Sequence, residues 1–214
     1  MKKKFIVFDF DGTLVNTNEV IIESWQAAAR KYLGHEMERQ AIEATFGETL
    51  PHTVSYLMPD EDVMEVCDFH KAYQEAHLEG LVWVFDGMPE LLAALKQRGL
   101  VLAVATSRRK ESFYEYMDRF NLINYFDATV VMEDVSHHKP HPESLLVAMN
   151  KLGADPEDTL MVGDTKFDMG CAINAGVDSV MVRWSHYVDD EELKRLGFVP
   201  TYNINEPADL LKLI

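Results

Sequence analysis

The sequence predicts an α/β protein: a doubly wound, parallel-sheet core interrupted near its start by an all-helical block. Three observations lead there. Short apolar runs alternate with amphipathic helical segments over most of the chain. No strand pattern occurs between Asn16 and Leu81, where helical spacing takes over. Several of the short runs end abruptly in carboxylates, hydroxyls or a lysine. In a parallel sheet those ends share one edge, the edge at which open α/β sheets bind their ligands.

The first run is Lys4-Phe-Ile-Val-Phe-Asp9-Phe-Asp11-Gly12-Thr13-Leu-Val15. Its apolar part is short for a helix and reads as a buried strand. Desolvating two unpaired carboxylates inside a sheet is costly, so Asp9 and Asp11 belong where the strand leaves it. Gly12 permits the sharp turn that follows.

Val20, Ile21, Trp25, Ala28, Ala29 and Leu33 then recur at helical spacing, with Gly34 as a stop. Further helices are expected around residues 37–45, 49–58 and 60–79. Pro51 fits one first turn, and Pro59-Asp60 would open the next. The expected division is an α/β core over residues 1–16 and 83–214, with a helical cap over 17–82.

From Val84 the α/β alternation resumes. Pro89 begins a helix that closes near Gly99. Leu100–Ala105 is a strand ending in Thr106-Ser107. Residues 108–120 are helical, with Phe113, Tyr116, Met117 and Phe120 on one face, where core packing is expected. Residues 128–132 form a short strand, and Pro142 opens a helix closing at Gly153. Thr159–Val162 runs into Gly163-Asp164, with a helix from about Asp168 to Asn174 and Gly176 as its cap. Residues 179–182 are a strand, residues 201–204 a possible edge strand, and residues 189–196 and 207–213 are helical.

Composition narrows the function. The chain has 214 residues, 47% hydrophobic, enough for one large domain or a core with an insert. Its formal charge of −16 disfavours nucleic acid and anionic membranes as partners. Its two cysteines, Cys67 and Cys171, imply neither a disulfide framework nor a zinc cluster. The basic start lacks the long apolar stretch of a signal peptide, and no run approaches a membrane span. A soluble cytoplasmic protein, monomer or homodimer, is expected.

Four groups should converge at the sheet edge: Asp9 and Asp11, Thr106-Ser107, Lys139, and Asp164 with Asp168. Simpler readings exist for each alone. Thr106-Ser107 or Asp164 could cap a helix, and Lys139 could be a surface lysine. Arg108, Arg109 and Lys110 could draw anions into the cleft or form a solvated first turn. His137, His138 and His141 lack a cysteine or fourth ligand, so a solvated loop is preferred to zinc.

In their order and approximate spacing, Asp9-Phe-Asp11-Gly-Thr13, Thr106-Ser107, Lys139-Pro140 and Gly163-Asp164-Thr165 with Asp168 resemble the four motifs of the haloacid dehalogenase superfamily. The helical insert resembles the cap of its phosphoglycolate-phosphatase-like and β-phosphoglucomutase-like branch. Asn16-Thr17-Asn18-Glu19 and Glu133-Asp134-Val135 look more specifically like the bacterial pyrophosphatase and phosphoglycolate phosphatase members. The resemblance implies a Rossmann-like core and a Mg²⁺-dependent phosphatase that works through an aspartyl phosphate. It makes Asp9 the nucleophile and Asp11 the acid, then base. Thr106, Ser107 and Lys139 would bind the substrate phosphate. Asp9, Asp164, a backbone carbonyl near Asp11, and Asp168 as ligand or supporting partner would form the metal site. The chemistry suits these residues: a carboxylate nucleophile divides a very slow hydrolysis into two displacements, and a hard cation on oxygen ligands offsets anion repulsion.

The substrate expected is a small phosphorylated metabolite. Residues 17–82 carry four Lys and Arg against thirteen Asp and Glu, a poor partner for nucleotides. Small phosphomonoesters or pyrophosphate fit better. Phe46-Gly47-Glu48-Thr49 would be either a substrate-facing loop, as the resemblance implies, or a plain turn between helices. A phosphomutase would use the same motifs. A receiver-like phosphoacceptor module is a weaker alternative, since the insert has no place in it.

Overall fold

In the computed structural model, which describes residues 3–185 and 188–214, β1 (Phe5–Phe8) leads into a short strand β2 (Val15–Asn16). Met1 and Lys2 of the basic start lie outside the described residues. Helices α1 (Asn18–Tyr32), α2 (Arg39–Glu43), α3 (Leu50–Leu57) and α4 (Val63–Ala76) follow. Next come β3 (Trp83–Val84), α5 (Met88–Gln97), β4 (Val101–Ala105), α6 (Lys110–Arg119) and β5 (Ala128–Val130). The chain continues through α7 (Glu143–Leu152), β6 (Thr159–Gly163), α8 (Lys166–Ala175), β7 (Asp178–Val182), α9 (Asp190–Leu196) and β8 (Tyr202–Ile204).

Six strands form one parallel sheet in the order β5-β4-β1-β6-β7-β8. The order reverses between β1 and β6, so the crevice above that pair is the topological switch point. Register then places the site. Phe8 is level with Val104 on one side and Val162 on the other. Asp9, Ala105 and Gly163 therefore leave the sheet together, with Thr106 and Asp164 one residue further.

The sheet is covered on both faces, and period-two alternation sorts the side chains. Ile6, Phe8, Leu102, Val104, Leu160 and Val162 join the cluster under α5 and α6. Val7, Ala103, Ala105 and Met161 pack with Leu145 and Met149 of α7 and Ala172 of α8. Phe113 and Met117 enter the first cluster, and Phe113 meets Phe10 edge-on at 5.3 Å. The helical insert has its own cluster, with Trp25, Ile42, Val54, Met58 and Val66 at its centre.

Several local expectations change. The two chain passages into and out of the insert pair as antiparallel β2 and β3, with Val15 opposite Val84. Two residues per strand are too few for a hydrophobic pattern to reveal. Helix α4 begins at Val63, because Asp62 accepts a hydrogen bond from the Glu65 amide at 2.9 Å; Pro59-Asp60 precedes it in a turn. Helix α8 begins two residues before Asp168, because Thr165 is its N-cap. The C-terminal helical segment Pro207–Lys212 is a 3₁₀ helix.

Phe113→Ala should lower unfolding stability by about 3–5 kcal/mol in urea denaturation, the range for deleting a buried aromatic. A loss near zero would mean that Phe113 does not anchor α6 to the segment that follows β1.

Candidate active site

Asp9 follows β1 directly and is buried, with 3% of the residue exposed. Lys139, on the loop between β5 and α7, reaches across from the neighbouring crossover. Its ammonium donates to Asp9 Oδ1 at 2.7 Å, Asp168 Oδ1 at 2.6 Å and the Ala105 carbonyl at 3.1 Å. All three protons of the lysine are thus used. Asp168 is fixed from its other oxygen, which accepts from the Thr165 amide and hydroxyl at 3.0 and 2.7 Å. That capping box ties Asp168 to the start of α8.

Asp164 stands on the other side of the crevice, where Thr13 donates to Oδ1 at 3.2 Å and Ser185 to Oδ2 at 2.8 Å. Asn18, in the first turn of α1, donates to the Ser185 hydroxyl at 3.0 Å. The backbone of Gly12 lies hard against this carboxylate. A Cβ there would sit 1.9 Å from Asp164 Oδ2, and the residue's φ of 73° also favours glycine.

Carboxylate oxygens of Asp9, Asp164 and Asp168 lie within 4.8 Å of one another, all buried. Burial pushes Asp9 well above the usual carboxylate range; Lys139 opposes this, while Asp168, Asp164 and Asp11 add to it. Burial would lower Lys139, but Asp168 and Asp9 outweigh it and hold the amine above its ordinary value. An all-oxygen, anionic donor set of this kind suits a hard divalent cation.

Asp11 takes a different direction. Its Oδ1 accepts from Thr17 Oγ1 at 2.8 Å and from Arg108 Nη1 at 2.6 Å. Arg108 Nη2 donates to Gln74 Oε1 at 3.2 Å, and its guanidinium lies 4.1 Å from the Tyr116 ring centroid. Gln74 continues to Ser24 at 3.4 Å, and Ser24 meets His70 Nε2 at 2.7 Å. Burial, assisted by Arg108, pushes His70 down to about 3, so it is a neutral member of this chain of bonds.

Thr106 is buried and does not cap α6, whose N-cap is Arg109. Its oxygen accepts from the Arg108 amide at 3.1 Å, and among the described residues its proton has no acceptor. Ser107 points to the insert and donates to the Gly47 carbonyl at 2.8 Å. Gly47 and Glu48 line the cleft between insert and core with Asp9, Asp11, Thr106 and Asp164, whereas buried Thr49 stands just before α3 and does not line it. Gly47 also approaches closely, since a Cβ there would be 2.7 Å from Thr165 Oγ1.

Sequence reasoning did not foresee the buried role of Arg108. In a run of three basic residues only its register, two positions after Thr106, set it apart. Thr13 and Ser185 as partners of Asp164, and Asn18 as a partner of Ser185, were likewise not singled out, because the Thr13 and Asn18 contacts each span more than 150 residues. His137 and His141 gather about Glu143 at the surface, a third ligand that the sequence left unremarked. Both Glu143 oxygens already accept backbone N–H groups, from Ser136 and His137.

The model of the haloacid dehalogenase-like hydrolase family matches residues 6–182. The chain belongs to this family. The PpaX protein of Caldanaerobacter subterraneus is 36% identical over all of this chain and 96% of its own length. The pyrophosphatase PpaX of Halalkalibacterium halodurans is 34% identical, covering all of this chain and 98% of its own. Among solved structures, a predicted phosphatase from Clostridium acetobutylicum superposes with a TM-score of 0.84 at 26% identity, over 99% of this chain and 98% of that one. With this membership the protein is a phosphoric ester hydrolase, and the receiver-like alternative is set aside. No helix among the described residues is long and apolar enough to cross a membrane.

Replacing Lys139 with Met should cost about 3–5 kcal/mol at pH 7, because Asp9 and Asp168 then stay buried without their cation. A raised carboxylate pKa means that the native state binds extra protons. The loss should therefore shrink as the pH falls toward the unfolded carboxylate pKa near ~4. Urea denaturation across that range checks it, and a loss that grows in acid would contradict the electrostatic origin.

Proposed function

We propose that the protein hydrolyses a small phosphate compound, pyrophosphate or a phosphoglycolate-like monoester, in a Mg²⁺-dependent reaction through an aspartyl phosphate at Asp9. The observation that carries this reading is the Lys139 bridge between Asp9 and Asp168, with Asp164 facing it at the switch point.

Asp9 and Asp164 would hold the cation, with Asp168 adding its charge while its oxygens stay engaged with Lys139 and Thr165. When bound, a divalent cation neutralises the carboxylates and the substrate phosphate so that anion can meet anion. The rest is done by side chains. The free Asp9 oxygen attacks phosphorus, and the bond from phosphorus to the leaving oxygen breaks. Asp11 gives its proton to that oxygen. A water then attacks the acyl phosphate, Asp11 takes the water's proton, and orthophosphate and free Asp9 result. Thr106 donates its unspent proton to a phosphoryl oxygen, with Ser107 as its neighbour at the cleft floor. Lys139 donates to Asp9 and holds it oriented, so no reorganisation is needed at the moment of attack.

The pyrophosphatase names of full-length relatives above 30% identity favour pyrophosphate within this class. The insert's acidic balance supports a compact substrate gripped through its phosphoryl group.

Asp9→Asn should abolish phosphate release from p-nitrophenyl phosphate while circular dichroism stays native. Substantial residual turnover would remove Asp9 from the nucleophile's role. EDTA should silence the wild-type enzyme and added Mg²⁺ should restore it, whereas activity indifferent to chelation would contradict the cation assignment.

A further inference from the structure

Arg108 is 92% buried at its side chain, yet it is poorly satisfied. A guanidinium offers five N–H groups. Among the described residues, Arg108 uses one on Asp11 and one on Gln74. Among the described residues its Nε has no hydrogen-bond partner, and neither has the hydroxyl of Tyr116, on whose ring it lies. Burial is the main reason that Tyr116 is pushed up to about 12, so the hydroxyl keeps its proton. Both residues line the cleft shared with Asp9 and Asp11. Orphaned donors in a buried position are expensive, and a cluster of them beside a reaction centre calls for an acceptor.

Charge balance says what kind. Asp11 is the only carboxylate hydrogen-bonded to Arg108 among the described residues. On the reading proposed above, Asp11 meets the leaving oxygen, and among the described residues Arg108 keeps an unpaired Nε beside it. Because Asp11 and Arg108 are 2.6 Å apart, the group whose oxygen Asp11 protonates must lie beside Arg108.

We propose that Arg108, with the Tyr116 hydroxyl, forms the leaving-group subsite and selects substrates whose leaving group is itself an anion, a phosphate or a carboxylate. The planar guanidinium suits either by two parallel hydrogen bonds. The proposal rests on the phosphatase reading of the same site and adds its specificity.

The test compares kcat/KM on three substrates of the full-length protein with Mg²⁺: pyrophosphate, phosphoglycolate, and hydroxyethyl phosphate, in which an uncharged group replaces the carboxylate. In Arg108→Met the preference for phosphoglycolate or pyrophosphate over hydroxyethyl phosphate should collapse by about 100-fold, the scale of a charge-assisted contact. Tyr116→Phe should move the same ratio in the same direction by less. Arg108→Lys, which keeps the charge and loses the fork, should fall between and serves if the Met variant does not fold. Collapse for one anionic substrate alone supports the subsite and identifies its leaving group. Equal losses on all three substrates would overturn the proposal, since Arg108 would then act only by holding Asp11. A wild-type enzyme that cleaves hydroxyethyl phosphate but neither anionic substrate would also overturn it and leave the phosphatase reading standing. No phosphate release from these or from p-nitrophenyl phosphate would remove the phosphatase reading itself.

Discussion

The ammonium of Lys139 is the interaction on which the rest of the site depends. It spends its three protons on Asp9, Asp168 and the Ala105 carbonyl, and so joins β1, β4 and α8 at a single buried point. Burying carboxylates is unfavourable, and Lys139 offsets that cost at Asp9 and Asp168. Buried carboxylates held a few ångströms apart favour a hard cation, and a cation there prepares the ground for an anionic substrate.

Sheet topology explains why these groups meet at all. Parallel register puts Asp9, Thr106 and Asp164 at nearly the same height, although they are far apart in sequence. Loops and caps then set direction. Gly12 lets the chain fold against Asp164, and the Thr165 capping box turns Asp168 toward Lys139. A second line of contacts runs from Asp11 through Arg108 and Gln74 to Ser24 and His70 inside the helical insert. Through it Asp11 is tied to the packing of the insert. Ser107 adds a separate link to Gly47.

What the sequence revealed and what it hid divide along physical lines. Strand-end polar residues were legible because an apolar run cannot continue into carboxylates without reaching an edge. Parallel strands then make those edges coincide. The two-residue strands β2 and β3 were illegible because they are too short for periodicity. The start of α8 was misplaced because Asp168, an attractive first-turn acid, concealed the threonine that caps the helix. Arg108 was hidden for another reason. Beside Arg109 and Lys110 it has the appearance of solvated charge, and only the tertiary contact with Asp11 and Tyr116 distinguishes it. Long-range partners such as Ser185 with Asp164 leave no local trace.

The central claim is that phosphorus passes through the carboxylate of Asp9. The most direct measurement is mass spectrometry of the protein, acid-quenched during turnover of pyrophosphate or phosphoglycolate with Mg²⁺. The account predicts one added phosphoryl group, transient and located on the peptide fragment at Asp9. Phosphate release with no phosphoryl group on the protein, or with the group on another residue, would contradict it.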